Sequence, residues 1–124
     1  MKLAFARIVT RDVFALTEFY REITGLTPKV FSDAYVEFSI SGGGLAISSE
    51  ETMEQHGAAA VHGQSNHSVV FDFQVEDVDS EYARLVDRIK HFVMEPRSQP
   101  WGNRSMLFRD PDGNLINFFA PLTH

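Results

Sequence analysis

Pro100-Trp101-Gly102-Asn103-Arg104-Ser105-Met106-Leu107-Phe108-Arg109-Asp110-Pro111-Asp112-Gly113-Asn114-Leu115-Ile116-Asn117-Phe118-Phe119-Ala120-Pro121 reads as a β-hairpin. An apolar strand runs through Met106 and Phe108, Asp110-Pro111-Asp112-Gly113 makes the turn, and a second strand rich in Ile and Phe follows. Proline fixes φ at the first central turn position, Asp suits the second, and Gly supplies freedom after it.

Working back to the start of the chain, Leu3 to Thr10 predicts a short strand. Asp12 is placed to cap a helix whose Leu16, Phe19, Tyr20 and Ile23 recur at helical spacing, and Gly25 is placed to stop it in the left-handed conformation. Between Pro28 and Ser49 the period changes to two. Val36, Phe38, Ile40, Leu45 and Ile47 fall on one side of a hairpin turning at Ser41-Gly42-Gly43-Gly44, and Tyr35, Glu37, Ala46 and Ser48 on the other. One side reads as core and the other as a cavity wall. Glu50 to Ser65 has no sustained period and reads as a connector, with a short helix conceivable over Glu51 to Ala60.

The pattern then restarts. Ser68 to Val75 alternates as a strand with Val69, Phe71, Phe73 and Val75 on one face and Val70, Asp72 and Gln74 on the other. Glu76-Asp77-Val78 repeats Arg11-Asp12-Val13, and a helix carrying Tyr82, Leu85, Val86 and Ile89 follows. A polar segment from Glu95 to Pro100 leads into the closing hairpin. Strand, helix and a run of strands thus occur twice, and neither half has enough strands to close a core alone. The expected fold class is α+β: two βαβββ modules (1–49 and 67–121, joined by a connector at 50–66) in a single domain spanning 1–124, with curved mixed sheets, helices outside, and dimeric assembly.

The 124 residues suit one domain, and the net charge of -6 disfavours a nucleic-acid or anionic-membrane partner. Without cysteine there is no disulfide, thiolate nucleophile or cysteine-bound zinc. Met1 to Thr10 has no long apolar run or cleavage site and no apolar run reaches membrane-spanning length, so the expected location is the cytoplasm.

In order and spacing, Asp12-Val13, Phe19-Tyr20, Gly25-Leu26, Asp77-Val78, Trp101-Gly102, Arg104, Phe108 and Asp110-Pro111-Asp112-Gly113-Asn114 resemble the vicinal oxygen chelate superfamily, which contains glyoxalase I, bleomycin-resistance proteins and extradiol dioxygenases. The resemblance implies paired βαβββ modules, commonly in a homodimer with sites on concave faces. Metal-binding members take a His, Gln or Glu from the opening strand of each module and a carboxylate from the closing strand. Those positions fall here on Phe5, Val70, near Ala46, and on Asn117. Three have no donor atom, and Asn117 offers a neutral carbonyl, a poor sole anchor for a divalent cation. Two-residue slips in register offer Arg7, Ser48 and Asp72, which make no recognisable ligand set. No metal or other cofactor is therefore expected.

His56, His62 and His67 cluster near the connector, but no carboxylate stands at a ligand spacing from them, so they read as loop histidines. Arg7, Glu37, Asp72 and Gln74 either line a cavity for a polar ligand or form internal ion pairs, Arg7 with Asp72 or with Glu37. Glu37 and Asp72 are weak candidates for an acid and a base. Trp101 and Arg104 either meet a planar or anionic ligand or fix their loop. The expected substrate-binding set is Phe5, Arg7, Tyr35, Glu37, Ser48, Val70, Asp72, Trp101, Arg104, Asn117 and Phe119. The function expected from it is metal-independent small-molecule binding of the bleomycin-resistance kind. The alternative is a lyase, isomerase or other enzyme of the superfamily, with unexpected metal ligands or with Glu37 and Asp72 as acid and base.

Overall fold

The computed structural model describes residues 1–55, 57 and 62–122, so His56 and the far end of the expected connector helix lie outside the described residues. Two compact units emerge, Met1–Ser65 and Asn66–His124.

The first unit contains β1 (Ala6–Thr10), α1 (Val13–Thr24), β2 (Lys29–Ser32), β3 (Tyr35–Ile40), β4 (Gly43–Ser49) and α2 (Glu50–Gln55). Its sheet has the order β1-β4-β3-β2, with β1 parallel to β4 and the other neighbours antiparallel. The second unit contains β5 (Val70–Gln74), α3 (Val78–Leu85), β6 (Phe92–Ser98), β7 (Asn103–Arg109) and β8 (Leu115–Pro121). Its order, β5-β8-β7-β6, repeats the same topology with β5 parallel to β8. In each unit the opening strand lies beside the closing strand, which is the repeat expected from the sequence.

Capping explains where the helices begin. The Asp12 carboxylate accepts from the Ala15 amide, and Asp77 accepts from the Ser80 amide in the second copy. Gly25, with φ of +70°, ends α1 as its amide donates to the Arg21 carbonyl. The apolar stripe of α1 buries Leu16, Tyr20 and Ile23, and Ile8, Val36, Phe38, Leu45 and Ile47 are buried on its sheet. Each such side chain taken from water contributes about 2 kcal/mol, far more than a solvated surface ion pair of this fold. In the second unit Val78 and Leu85 of α3 are buried, as are Met106, Phe108, Ile116 and Phe118. Aromatic rings run through that core, with the Phe108 and Phe118 centroids 5.1 Å apart and Phe73 and Phe118 5.7 Å apart.

Several boundaries differ from the sequence expectation. The hairpin after β3 turns on Ser41-Gly42 alone, and Gly43 and Gly44 already pair with Ile40 and Ser39. The opening strands begin later, at Ala6 and Val70, leaving Phe5 and Val69 outside them. Part of the connector belongs to the first unit. The Ser49 hydroxyl accepts from the Thr52 amide to start α2, while Glu50 Oε2 accepts from the Gly63 amide at 2.8 Å and from Arg11 Nε at 3.3 Å. These contacts, the Gly63 bond foremost, hold the Glu50 carboxyl below its usual range. Glu95 to Ser98, expected as a polar lead-in, is the second half of β6. Proline cannot donate to a ladder, so Pro96 argues against a central strand, but β6 is an edge strand and its register shifts around that point. Pro100-Trp101-Gly102 is the turn between β6 and β7, with the Gly102 amide donating to the Gln99 carbonyl and Gly102 at φ of +100°.

The turn between β7 and β8 is built around a buried carboxylate. Asp110 is 1% exposed, and its Oδ1 accepts from the amides of Asp112 and Asn114 at 2.9 Å. Its Oδ2 accepts from Asn114 Nδ2 at 2.8 Å, and Gly113 takes a φ of +88°. Replacing Asp110 by Ala strands three donors, two of them on Asn114, which is itself buried. The expected loss is about 3 kcal/mol of stability, read as a lower urea midpoint at unchanged m, with Asp110→Asn falling between wild type and Ala.

Candidate functional site

Because β4 is flanked by β1 and β3, its register sorts the face opposite the α1 core into rows. Arg7, Ala46 and Glu37 are aligned, and Val9, Ser48 and Tyr35 form the next row. The residues that β4 offers to this face, Gly44, Ala46 and Ser48, are all small, while its neighbours carry long side chains. A low floor between two walls results.

Phe5 leads into one wall and folds over the floor. A Cβ on Gly44 would stand 2.5 Å from two carbons of the Phe5 ring, so the glycine is what lets the ring lie there. Arg7 holds its guanidinium carbon 5.6 Å from the Tyr35 ring centroid, and its Nη1 donates to Met53 Sδ at 3.6 Å. Tyr35 in turn donates its hydroxyl to Glu37 Oε2 at 2.7 Å. Arg7 thus stacks on the aromatic ring, and no Arg7 to Glu37 ion pair occurs. Hydrogen bonding to Glu37, then burial and the Glu37 charge, push the Tyr35 phenol up against a smaller opposing pull from Arg7.

Ser48 lies on the floor and is fully buried, and its Oγ meets no hydrogen-bond partner among the described residues. Buried hydroxyls are ordinarily satisfied. Phe31, 5.6 Å from Tyr35 between ring centroids, and Lys29, whose ammonium is 4.9 Å from the Phe31 centroid, extend the Tyr35 wall. Sequence reasoning missed both, together with Met53. Recognising 29–32 as its own strand would have placed Lys29 and Phe31 by their two-residue spacing.

On the second sheet the corresponding rows are Val70, Leu115 and Arg109, then Asp72, Asn117 and Leu107, then Gln74, Phe119 and Ser105. Asn117 Nδ2 donates to Asp72 Oδ1 at 3.0 Å, while the buried Asn117 Oδ1 meets no partner among the described residues. Glu37 and Asp72, the weak acid and base candidates, each accept a hydrogen bond from a neighbour on their own sheet. Trp101 is 71% exposed at the apex of its turn. Arg104 grips Asp79 at the start of α3 through Nε at 2.6 Å and Nη2 at 2.8 Å, and reaches Ser98 Oγ at 3.2 Å, so its carboxylate partner is the protein's own. That grip holds the Asp79 carboxyl below its usual range.

The sequence model described as "Glyoxalase/Bleomycin resistance protein/Dioxygenase superfamily" matches residues 2–118. The chain belongs to this superfamily. YraH of Bacillus subtilis strain 168, an uncharacterized protein, is 30% identical over 129 residues, spanning 98% of this chain and 100% of its own. A glyoxalase/bleomycin resistance protein/dioxygenase family enzyme from Burkholderia phytofirmans PsJN shares the fold with a TM-score of 0.88 at 18% identity, over 98% of this chain and 100% of that one. A glyoxalase/bleomycin resistance protein/dioxygenase from Nocardioides gives 0.82 at 27% identity, over 98% and 84% respectively.

Within the superfamily the resemblance places metal ligands at Phe5, Ala46, Val70 and Asn117, and the residues present do not fit a divalent ion. Phe5 carries a ring lying on Gly44, Ala46 and Val70 carry no donor, and Asn117, whose Nδ2 is engaged with Asp72, offers only a single neutral carbonyl oxygen. His62 and His67 are exposed, and among the described residues no three His, Asp or Glu side chains gather as a ligand group. No helix among the described residues is long and apolar enough to cross a membrane.

The Tyr35 to Glu37 bond makes a pH prediction. Folding favours the protonated phenol, so its contribution is complete below the ordinary phenol value of about 10 and is lost as pH rises through the raised value. Burial and Glu95 push the Tyr82 phenol up as well, so an ultraviolet alkaline titration of the folded protein should show more than one phenol ionising late, and Glu37→Gln should bring only the Tyr35 phenol back toward the ordinary range.

Proposed function

We propose that the chain is a metal-independent small-molecule-binding protein that sequesters its ligand on the open face of the first sheet. The observation that carries this reading is the Ser48 hydroxyl, buried and without a partner among the described residues, on a floor of small residues between walls that bear Arg7, Phe5, Tyr35 and Glu37. A buried hydroxyl without a partner costs about 1–3 kcal/mol, and a ligand hydrogen-bonded to it recovers that cost on binding.

The surrounding groups favour a planar ligand with a cationic or hydrogen-bond-donating edge. Tyr35 offers a ring face for stacking, and Glu37 keeps Oε1 for the ligand because its Oε2 is held by the Tyr35 hydroxyl. Arg7 already covers the Tyr35 ring, so entry requires it to swing aside, which its exposed four-bond stem allows. Nothing in this reading asks for a bond to be made or broken.

The test is a thermal-shift and calorimetric screen of chelator-treated protein against aromatic, cationic and peptide-like compounds. A saturable ligand whose affinity is the same with and without chelator is expected. Ser48→Ala should raise the stability of the free protein by about 1 kcal/mol while weakening the ligand about tenfold, opposite signs that a packing defect would not produce. Stoichiometric, tight zinc, nickel or iron binding would overturn the proposal, as would a Ser48→Ala variant that binds the ligand unchanged.

A further inference from the structure

The second unit carries a pocket that the reading above does not use. It has a volume of about 410 Å³ and is lined by Asn66, His67, Ser68, Val69, Val70, Arg109, Gly113 and Leu115. Its floor and its cation come from one row of the sheet, since Val70 pairs with Leu115 and Leu115 with Arg109. Val69 and Val70 are 53% and 44% exposed there, an apolar surface beside a guanidinium.

The rim is held in place before any ligand arrives. Asn66 Oδ1 accepts from the amides of Ser68 at 3.2 Å and Val69 at 2.9 Å, and its Nδ2 donates to the Val69 carbonyl at 3.2 Å and to Asn114 Oδ1 at 3.1 Å. The 66–69 loop is therefore tied to the turn built on Asp110. Arg109 is oriented by the same turn, its Nη1 donating to the Gly113 carbonyl at 2.9 Å. That bond leaves Nε and Nη2, the edge of a guanidinium that takes both oxygens of a carboxylate, and among the described residues Arg109 has no carboxylate partner.

We infer that this pocket binds an organic carboxylate, with the carboxylate on Arg109 and a compact apolar body on Val69, Val70 and Leu115. The Ser68 hydroxyl and the His67 ring stand on the same rim as further hydrogen-bonding groups. The inference is independent of the site on the first sheet and uses none of its residues.

Titrating isotope-labelled protein with benzoate, 3-methylbutanoate, benzamide and inorganic phosphate, followed by amide and Arg side-chain NMR, tests it. Both carboxylates should shift Ser68, Val69, Val70, Leu115 and the Arg109 Nε–H saturably, with benzamide at least about tenfold weaker. Arg109→Lys keeps the charge but loses the two-pronged grip, and it should weaken benzoate about tenfold in a protein whose remaining spectrum is unchanged. Linear, unsaturating shifts, an equal response to benzamide or to phosphate, or saturable shifts confined to other residues would overturn the inference. The wild-type comparison of benzoate with benzamide decides the matter even if the variant fails to fold.

Discussion

Placing the opening strand of each unit parallel to its closing strand is the constraint on which the other features rest. β1 on β4 and β5 on β8 make the last strand a central one, so its alternation is read on both sides. In the first unit that puts Leu45 and Ile47 into the core and Gly44, Ala46 and Ser48 onto the opposite face. A slip of one residue in β4 would exchange the two sets and turn Leu45 and Ile47 away from α1. Burial of the apolar set under α1 is worth enough to exclude that slip, and the polar face is its geometric by-product.

The two units use the same topology to different ends. β4 offers Gly, Ala and Ser to its open face, whereas β8 offers Leu115, Asn117 and Phe119. The first leaves a floor low enough for an orphan hydroxyl to lie under its neighbours' long side chains. The second carries larger side chains along its length, and the pocket beside Arg109 lies where the strand begins. The repeated topology gives the two units a shared scaffold, and the different residues on the last strand of each give the difference in surface chemistry.

Much of this was legible in the sequence because it depends on local rules. Asp12 and Asp77 announced helix starts, Asp110-Pro111-Asp112-Gly113 announced a turn, and two-residue alternation sorted Val36, Phe38, Leu45 and Ile47 from Tyr35, Glu37, Ala46 and Ser48. Two of the four edge strands were harder to read. β2 and β6 are half-paired, so selection for an alternating apolar face is weak there, and Pro96 actively disguised the second. Side-chain partnerships were the least legible. Nothing in the spacing of Arg104 and Asp79 distinguishes a clamp from a ligand contact, and the bond from Glu50 to Gly63 depends on how the connector folds back.

Those disguised edges have a consequence for how the protein behaves among its own copies. An outer strand with free amides and carbonyls is a template on which another chain can add. Along β6, a proline removes one donor and irregular register spoils the spacing of the rest; along β2, a lysine and a bulge between Val30 and Ser32 do similar work. The residues that made these strands hard to recognise are also the ones that make them poor templates for another chain, so one of the two outer strands of each sheet, β2 or β6, carries its own protection against strand addition.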